Sequence, residues 1–404
     1  MSAAAPPRGA SVEAASPSSA DGGAARRSLA WGPFLWGPRR DLAAFAASAV
    51  VALGLALLAP RLAGPEGALP AWGFLALVVA IDVAHVWSTL FRTYLDRGEL
   101  ARRPALYAGT PLACFALGAA VHAFSAVAFW RTLAYVAAFH FVRQQIGWVA
   151  IYRRRAGDHG RLSRLVDEVA VYAAAGYPLL FWHATARPFA WFVDGDFVSL
   201  PQLAAILPAT RWVWLGALAI YAAKSVARAI RTRTVELGKH VVVASTAATW
   251  YVGIVGATSD FAFTSANVIV HGVPYAFLLY AYAKARSAEA PTSLASRALR
   301  FGVPGFVTLL FAIAFVEEMV WDRLVWHAHP ELFGAAAARL TPAVLTFVVP
   351  LLAVPQATHY VLDAVLWRRR DTGPAQAKAL GFGDTESVDR RGQRADGGVI
   401  VRAA

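Results

Sequence analysis

Five histidines carry the strongest chemical signal in this sequence. His85, His140, His240, His271 and His359 each fall in a different long apolar segment. Neutral imidazole is the commonest metal ligand in proteins, and carboxylates commonly join it. Several imidazoles without a thiolate suit non-haem iron and, less specifically, zinc, manganese or copper. These positions therefore predict a metal site, with iron or another divalent metal as its cofactor.

The depth of the histidines within their segments suggests that they meet. With a rise of 1.5 Å per helical residue, His240 lies about 6 Å from the arginine- or lysine-bearing end of its segment and His85 about 10 Å. His359 lies about 13 Å from that end, and His140 and His271 about 19 Å. All five fall between the middle and the same end. Taken singly, each could instead be an interhelical hydrogen-bond partner, and that alternative stays open.

Each of five further polar residues lies about one helical turn from one of the histidines: Asp82, Gln144, Asn267, Gln356 and Asp363. Side chains three or four residues apart share a helix face. Metal-bound histidines usually need an acceptor for their second ring nitrogen. We therefore expect these residues to support the histidine rings or to bind the metal directly.

Arg143 lies three residues after His140, deep in the same apolar segment. An arginine at this depth needs an anion. The favoured prediction is an internal ion pair with Asp82 or Asp363, and the alternative is the carboxylate or phosphate of an amphiphilic substrate. His122 and His183 fall nearer the opposite ends of their segments, where we expect packing or interface roles.

The composition indicates which elements carry these residues. Of 404 residues, 58% are hydrophobic and 16% are charged, against about 25% charged residues in soluble domains. A helix needs roughly 20 apolar residues to cross the bilayer. Ten segments qualify: 41–60, 70–91, 104–126, 132–152, 165–186, 208–228, 238–258, 261–283, 301–321 and 342–367. The predicted fold class is an all-α polytopic transmembrane helix bundle of about ten spans.

Lysine and arginine concentrate in alternate connections between these spans, beginning with the N-terminal segment. The positive-inside rule then predicts that both termini are cytoplasmic. We expect residues 1–40 and 371–404 to be disordered cytoplasmic tails flanking a bundle over 41–370. The high alanine and arginine content is typical of a GC-rich bacterial genome, which makes the bacterial inner membrane the expected location.

Several function classes are disfavoured. Cys114 is the only cysteine, so neither an internal disulfide nor a cysteine-based metal site can form. The sequence has no Walker lysine loop, no dinucleotide-binding glycine fingerprint and no nucleophile elbow. The net charge of +13 follows the membrane topology, so no nucleic-acid partner is expected.

Dispersed histidines over a helical bundle are similar in kind to the bacteriorhodopsin-related-protein-like beta-carotene dioxygenases. Those are all-helical membrane proteins with histidines around a single iron. The resemblance implies an iron oxidoreductase acting on a lipid-soluble substrate, and it assigns no catalytic role residue by residue. The chain lacks the paired histidine boxes of membrane fatty-acid desaturases.

Two hypotheses follow. In the first, the chain is a metal-dependent membrane enzyme, and its partner is a membrane lipid or a lipid-soluble small molecule reached from the cytoplasmic half of the bilayer. In the second, buried His, Asp and Arg residues form the pathway of a proton-coupled transporter or permease. The sequence leaves the metal, the substrate and the oligomeric state open.

Overall fold

The computed structural model describes residues 29–291, 293–337, 339–367 and 373–382. Within these ranges the chain is predominantly helical with almost no sheet, which confirms the all-α prediction. The only strands described are Ala30–Trp31 and Thr234–Val235, which pair in parallel.

Ten long helical segments lie where the ten spans are predicted. They are α1 Pro38–Leu62, α2 Pro65–Arg92, α3 Pro104–Phe124, α4 Ala126–Arg155, α5 Arg161–Ala184, α6 Pro201–Thr232, α7 Leu237–Trp250 with its π-helical continuation Tyr251–Gly256, α8 Asp260–Glu289, α9 Ala295–Trp326 and α10 Pro342–Leu366. Seven of them are long and apolar enough to cross a membrane: α1, α2, α3, α6, α8, α9 and α10. They indicate a membrane protein. Membrane crossing by α4, α5 and α7, and the orientation of the termini, stay predictions.

The helices α3 and α4 are separated at a single residue. Ser125 has an extended backbone, and its hydroxyl accepts a hydrogen bond from the Ala128 amide at the start of α4. A serine in this position satisfies an amide that has no partner within the helix. The separation gives α4 its own direction, and this helix carries His140.

The central helix of the bundle is α8. Of its most apolar 18-residue window 83% is buried, against 6% for α3 and none for α6. It packs on α1, α2, α7 and the short helix Pro374–Ala379. This placement explains why His271, in the middle of α8, is 1% exposed.

Gly272 allows α8 to approach α2 closely. A Cβ atom added at Gly272 would lie 2.8 Å from Ile81 Cγ2 and 3.1 Å from the Ile81 carbonyl oxygen. Both distances are shorter than ordinary van der Waals contact, so any larger residue would push the helices apart. The glycine follows His271, and it therefore helps to bring that ring beside His85.

Parts of both predicted tails pack on the bundle. Leu35 is buried, and its backbone amide donates to Asp41 Oδ2 over 2.7 Å. Helix Pro374–Ala379 lies on α8, with Gln376 only 1% exposed. The other predicted tail residues, 1–28, 371–372 and 383–404, lie outside the described residues.

Candidate metal centre

Four of the five predicted histidines converge from four helices. His85 on α2, His140 on α4, His271 on α8 and His359 on α10 each contribute one ring nitrogen to a group whose atoms all lie within 4.8 Å of one another. All four side chains are buried. We call this group the histidine centre, and its members can hold a metal ion.

Three of the rings face an oxygen atom through Nδ1. His359 Nδ1 lies 2.8 Å from the Thr89 hydroxyl, within hydrogen-bonding distance. The other two separations are longer: His85 Nδ1 lies 3.6 Å from Asp82 Oδ1, and His140 Nδ1 lies 3.8 Å from Asp363 Oδ2. Oxygen acceptors behind the rings are the usual arrangement around metal-bound histidines, where they fix the ring orientation.

The Nε2 atoms face inward. His85 Nε2 and His271 Nε2 lie 3.0 Å apart, while His140 Nε2 and His359 Nε2 have no hydrogen-bond partner among the described residues. A buried polar atom without a partner costs about 1–3 kcal/mol. His85 Nδ1 and His271 Nδ1 also lack a hydrogen-bond partner among the described residues. Four such atoms in one site need an explanation, and a cation bound between the rings provides one for the nitrogens that face it.

The spacing fits a metal with only a small adjustment. With metal–nitrogen bonds of about 2.1 Å, ligands at right angles lie about 3.0 Å apart and opposite ligands about 4.2 Å apart. The His85–His271 separation of 3.0 Å matches the first value. The upper bound of 4.8 Å for the group would require a contraction of about 0.6 Å to bring every nitrogen within reach.

Aromatic rings surround the histidine centre. The Phe141 ring stacks on His271 with centroids 3.5 Å apart. Tyr360 lies 4.9 Å from the ring of His140, and Tyr275 lies 5.3 Å from that of His359. The four histidines are only 1–6% exposed, so interactions between charges and dipoles within the centre are stronger than in water.

Only two of the five predicted supporting residues face a histidine ring nitrogen. Asp82 and Asp363 face ring nitrogens, as given above. Gln356 instead donates to the Tyr360 hydroxyl over 2.7 Å, and Asn267 Nδ2 donates to the Phe263 carbonyl oxygen over 2.8 Å. Gln144 is buried, and neither its amide nitrogen nor its amide oxygen has a hydrogen-bond partner in the described structure.

His240 does not join the other four histidines. Its Nδ1 lies 2.8 Å from the Tyr221 hydroxyl, and its ring contacts that of Tyr221 edge-on. The preceding residue, Lys239, pairs with Glu236. Depth along the helix suggested His240 as a ligand, but α7 turns this residue toward α6 and away from the centre.

Arg143 also has a different environment from the one expected. Its side chain is exposed on the outside of the bundle, and Nη1 donates to the Tyr172 hydroxyl over 3.2 Å. The predicted partners, Asp82 and Asp363, face histidines instead. Arg143 and His140 are three residues apart, yet α4 directs one outward and the other inward.

Four further residues that contact the histidine rings were not predicted: Thr89, Tyr275, Phe141 and Tyr360. A signal for the first two was present, because Thr89 lies four residues after His85 and Tyr275 four residues after His271. Residues one turn after a histidine share its helix face as much as residues one turn before it, so the spacing indicates Thr89 and Tyr275 as neighbours of these rings.

Comparison with known proteins gives no relative on which to base a function. No protein-family model, no curated protein and no solved structure matches this chain. The resemblance to beta-carotene dioxygenases therefore stays a prediction, and the functional argument depends on the histidine centre itself.

Proposed function

We propose that this chain is a metal-dependent membrane enzyme that acts on a lipid-soluble substrate. The observation that carries the proposal is the convergence of four buried histidines whose ring nitrogens lie within 4.8 Å of one another. Hydrogen bonding between helices needs only pairs of polar groups. A group of four imidazoles with four unpartnered ring nitrogens among the described residues is better explained by a shared cation.

The metal we propose first is iron. Imidazole ligands suit iron, zinc, copper and nickel, and adjacent carboxylates such as Asp82 and Asp363 are hard ligands that also suit iron. Iron would supply redox chemistry with dioxygen, whereas zinc would polarise a carbonyl group or generate hydroxide. An oxidoreductase is therefore the proposed enzyme class when the metal is iron.

An apolar route from the lipid side favours a lipid-soluble substrate. A crevice of about 200 Å³ reaches His359, and its other lining residues are apolar apart from threonines and Tyr94. It shares Trp87 and Pro355 with a wider apolar groove of about 540 Å³ between α9 and α10. A hydrophobic molecule can approach the centre through this groove, where Glu317 is the one ionisable residue among the described residues of the lining.

The chain's own residues have separable roles in this proposal. The four histidines hold the metal, while Thr89, Asp82 and Asp363 orient three of the rings through Nδ1. Phe141 and Tyr360 exclude water from the centre. A substrate in the crevice beside His359 would lie on the α2–α10 side of the metal.

Elemental analysis of purified protein in mild detergent tests the proposal. We expect about one transition-metal ion per chain, and X-ray absorption should show nitrogen or oxygen ligands and no sulfur. Metal should be removed by a strong chelator and rebound on addition of the same ion. Protein that retains no metal and rebinds none would reject the proposed function.

The rival function is a proton-coupled transporter, and one observation favours it. Asp82 lines an open cavity of the bundle and also lies beside His85, so it could connect solvent to buried titratable groups. The same elemental analysis discriminates, because a proton pathway needs no metal. Proton-coupled uptake by metal-free protein in proteoliposomes would favour the transporter.

A further inference from the structure

A wide cavity in the bundle has a strongly acidic lining. Its volume is about 730 Å³, and it lies between the loops at one end of the bundle and the side of the histidine centre nearest Asp82. The carboxylates that line it are Glu66, Asp82, Asp194, Asp260, Glu318 and Asp322. Among the described residues of this lining, none is lysine or arginine. We call it the acidic cavity.

The carboxylates become less exposed toward the interior. Glu66 and Asp194 are exposed at the mouth, and Asp260 and Asp82 are half-buried. Glu318 is only 8% exposed. A cleft with one sign of charge and low-dielectric walls focuses the electric field and raises the local concentration of ions of opposite charge. The charge pattern therefore attracts cations inward.

Glu318 is an independent sign of a cation ligand. Within the described part of the chain its carboxylate makes no hydrogen bond and no ion pair, and the nearby charged groups, Glu317, Asp82 and Asp322, repel it. Asn267 Oδ1, also on this lining, is buried and lacks a hydrogen-bond donor. Both groups accept hydrogen bonds or bind cations, and buried acceptors of this kind are rarely left without partners.

The inner end of the acidic cavity meets the residues that support the histidine centre. Asp82 belongs to both, since it lines the cavity and lies 3.6 Å from His85 Nδ1. Phe141 and Gln356, which contact His271 and Tyr360, also line it. On the opposite side of His85, two helical turns along α2, lies the buried cation Arg92, paired with Glu99 over 3.0 Å.

We propose that the acidic cavity is the route by which a divalent metal cation reaches the histidine centre, with Glu318 and Asp82 as successive binding groups. This inference rests on the proposed function, because it needs a metal at the histidines. The carboxylates bind the incoming ion weakly, and the four imidazoles bind it finally. On the other side Arg92 is neutralised by Glu99, so the field that attracts cations lies at the acidic end, and the ion enters there.

Glu317 and Glu318 offer a matched pair for the test. Glu317 faces the lipid-side groove, where its carboxylate accepts a hydrogen bond from Trp87 Nε1 over 2.5 Å. Glu318, the next residue on the same helix, faces the acidic cavity. Glu317→Gln and Glu318→Gln therefore remove the same charge from the same helix, but only the second removes it from the proposed route.

The experiment follows Co²⁺ binding to chelator-treated protein in detergent by the visible absorbance of the bound ion. At low ionic strength we expect Glu318→Gln to slow loading about tenfold and to leave the final amount of bound Co²⁺ unchanged. Glu317→Gln should load like the wild type. Added salt should slow wild-type loading and narrow the difference from Glu318→Gln.

The outcomes separate the two proposals. If wild-type protein binds no Co²⁺, the proposed function and the proposed metal route are both rejected. If it binds Co²⁺ and Glu318→Gln loads at the wild-type rate, only the route is rejected. Equal slowing in both variants would indicate general damage to α9 and would also reject the route. Loss of final Co²⁺ content in Glu318→Gln alone would make Glu318 a ligand, which contradicts a transit role.

Discussion

Two buried polar regions of this bundle are built in opposite ways. In the histidine centre, four like side chains face one another, and four ring nitrogens have no hydrogen-bond partner among the described residues. In the second region, groups of opposite charge pair across four helices and two loops. This ionic cluster consists of Arg153, Asp158, Asp167, Lys224, Arg228, Glu236 and Lys239.

Asp167 illustrates the second arrangement. It is fully buried, yet Arg153 Nε lies 3.1 Å from its Oδ2, Lys239 Nζ lies 3.7 Å from the same oxygen, and Lys224 pairs with its Oδ1. Buried charges that are compensated within the protein hold helices together and need no ligand. The histidine centre has no such compensation, and the difference indicates that it binds something from outside the chain.

The largest expected effect is the loss of metal from the histidine centre. His140→Ala, His271→Ala and His359→Ala should each purify as inserted protein without stoichiometric metal and without activity, because packing cannot replace a coordinate bond. Elemental analysis of each purified variant measures this.

The control comes from the other polar region. His240→Ala should keep metal, because His240 contacts Tyr221 beside the ionic cluster. His122→Ala and His183→Ala, outside both regions, should keep it as well. If all the histidines were only hydrogen-bond partners, each change would cost about 0.6 kcal/mol, and 1–2 at most. Metal content would then not differ between the variants of the histidine centre and the control variants.

The comparison also shows what could be predicted from the sequence. The apolar runs indicated where the helices lie, because a span must supply roughly 20 apolar residues. The rise per residue indicated how far along its helix each histidine sits. Depth alone could not indicate which neighbour a side chain faces, since that depends on how each helix rotates against the others. His240 and Arg143 were misplaced for this reason.

The packing of the helices also determines on which side of the histidine centre each supporting residue lies. Asp82, Asn267 and Gln356 precede their histidines by one turn, and all three line the acidic cavity. Thr89, Tyr275 and Asp363 follow theirs by one turn and lie on the other side of the centre. The sequence identified one-turn neighbours but not this two-sided arrangement, which depends on how the three helices α2, α8 and α10 pack around the centre.

The next largest effect is expected in the ionic cluster. Asp167→Asn should lower the free energy of unfolding by about 3–5 kcal/mol, because it leaves buried cations without their shared anion. Metal content of the folded fraction should not change. Unfolding in a denaturing detergent series, followed by helical circular dichroism, measures the first effect, and elemental analysis measures the second.

Glu168→Gln is the matched control for Asp167→Asn. Glu168, the next residue of α5, pairs with Arg164 over 2.8 Å on an exposed surface. Exposed pairs contribute about 0–1 kcal/mol, so this variant should be nearly as stable as the wild type. Equal loss from both variants would contradict the view that compensation at Asp167 is structural.

A smaller effect is expected from the oxygen atoms behind the rings. Thr89→Val removes the partner of His359 Nδ1, and we expect metal affinity to fall about 10–100-fold while the four ligands remain. Competition with a chelator of known affinity measures this. Thr358→Val, a change of the same size beside His359, should leave the affinity unchanged, because Thr358 has no ring nitrogen as its partner. Equal affinities for wild type and Thr89→Val would show that ring orientation does not depend on this hydroxyl.

The smallest effect concerns acid, which should act on the two regions at different pH. Burial works to raise the pKa of Asp158, but hydrogen bonds from Ser163 and Arg153 and the charges of Arg153 and Arg228 outweigh it and hold the pKa at about 2. A depressed carboxyl pKa stabilises the fold above the ordinary value of 3.8, and this contribution is lost as the pH falls toward 2. Metal ligands must be unprotonated, so protons compete with the ion at the histidines. On acidification we therefore expect metal release at a higher pH, and weakening of the ionic cluster only as the pH falls below about 4.

The free energy of unfolding of wild type and Asp158→Asn, measured as a function of pH, tests the role of Asp158. The difference between the two proteins should be constant above about pH 5 and shrink below pH 4. A difference that stays constant down to pH 2 would contradict the role given to Asp158.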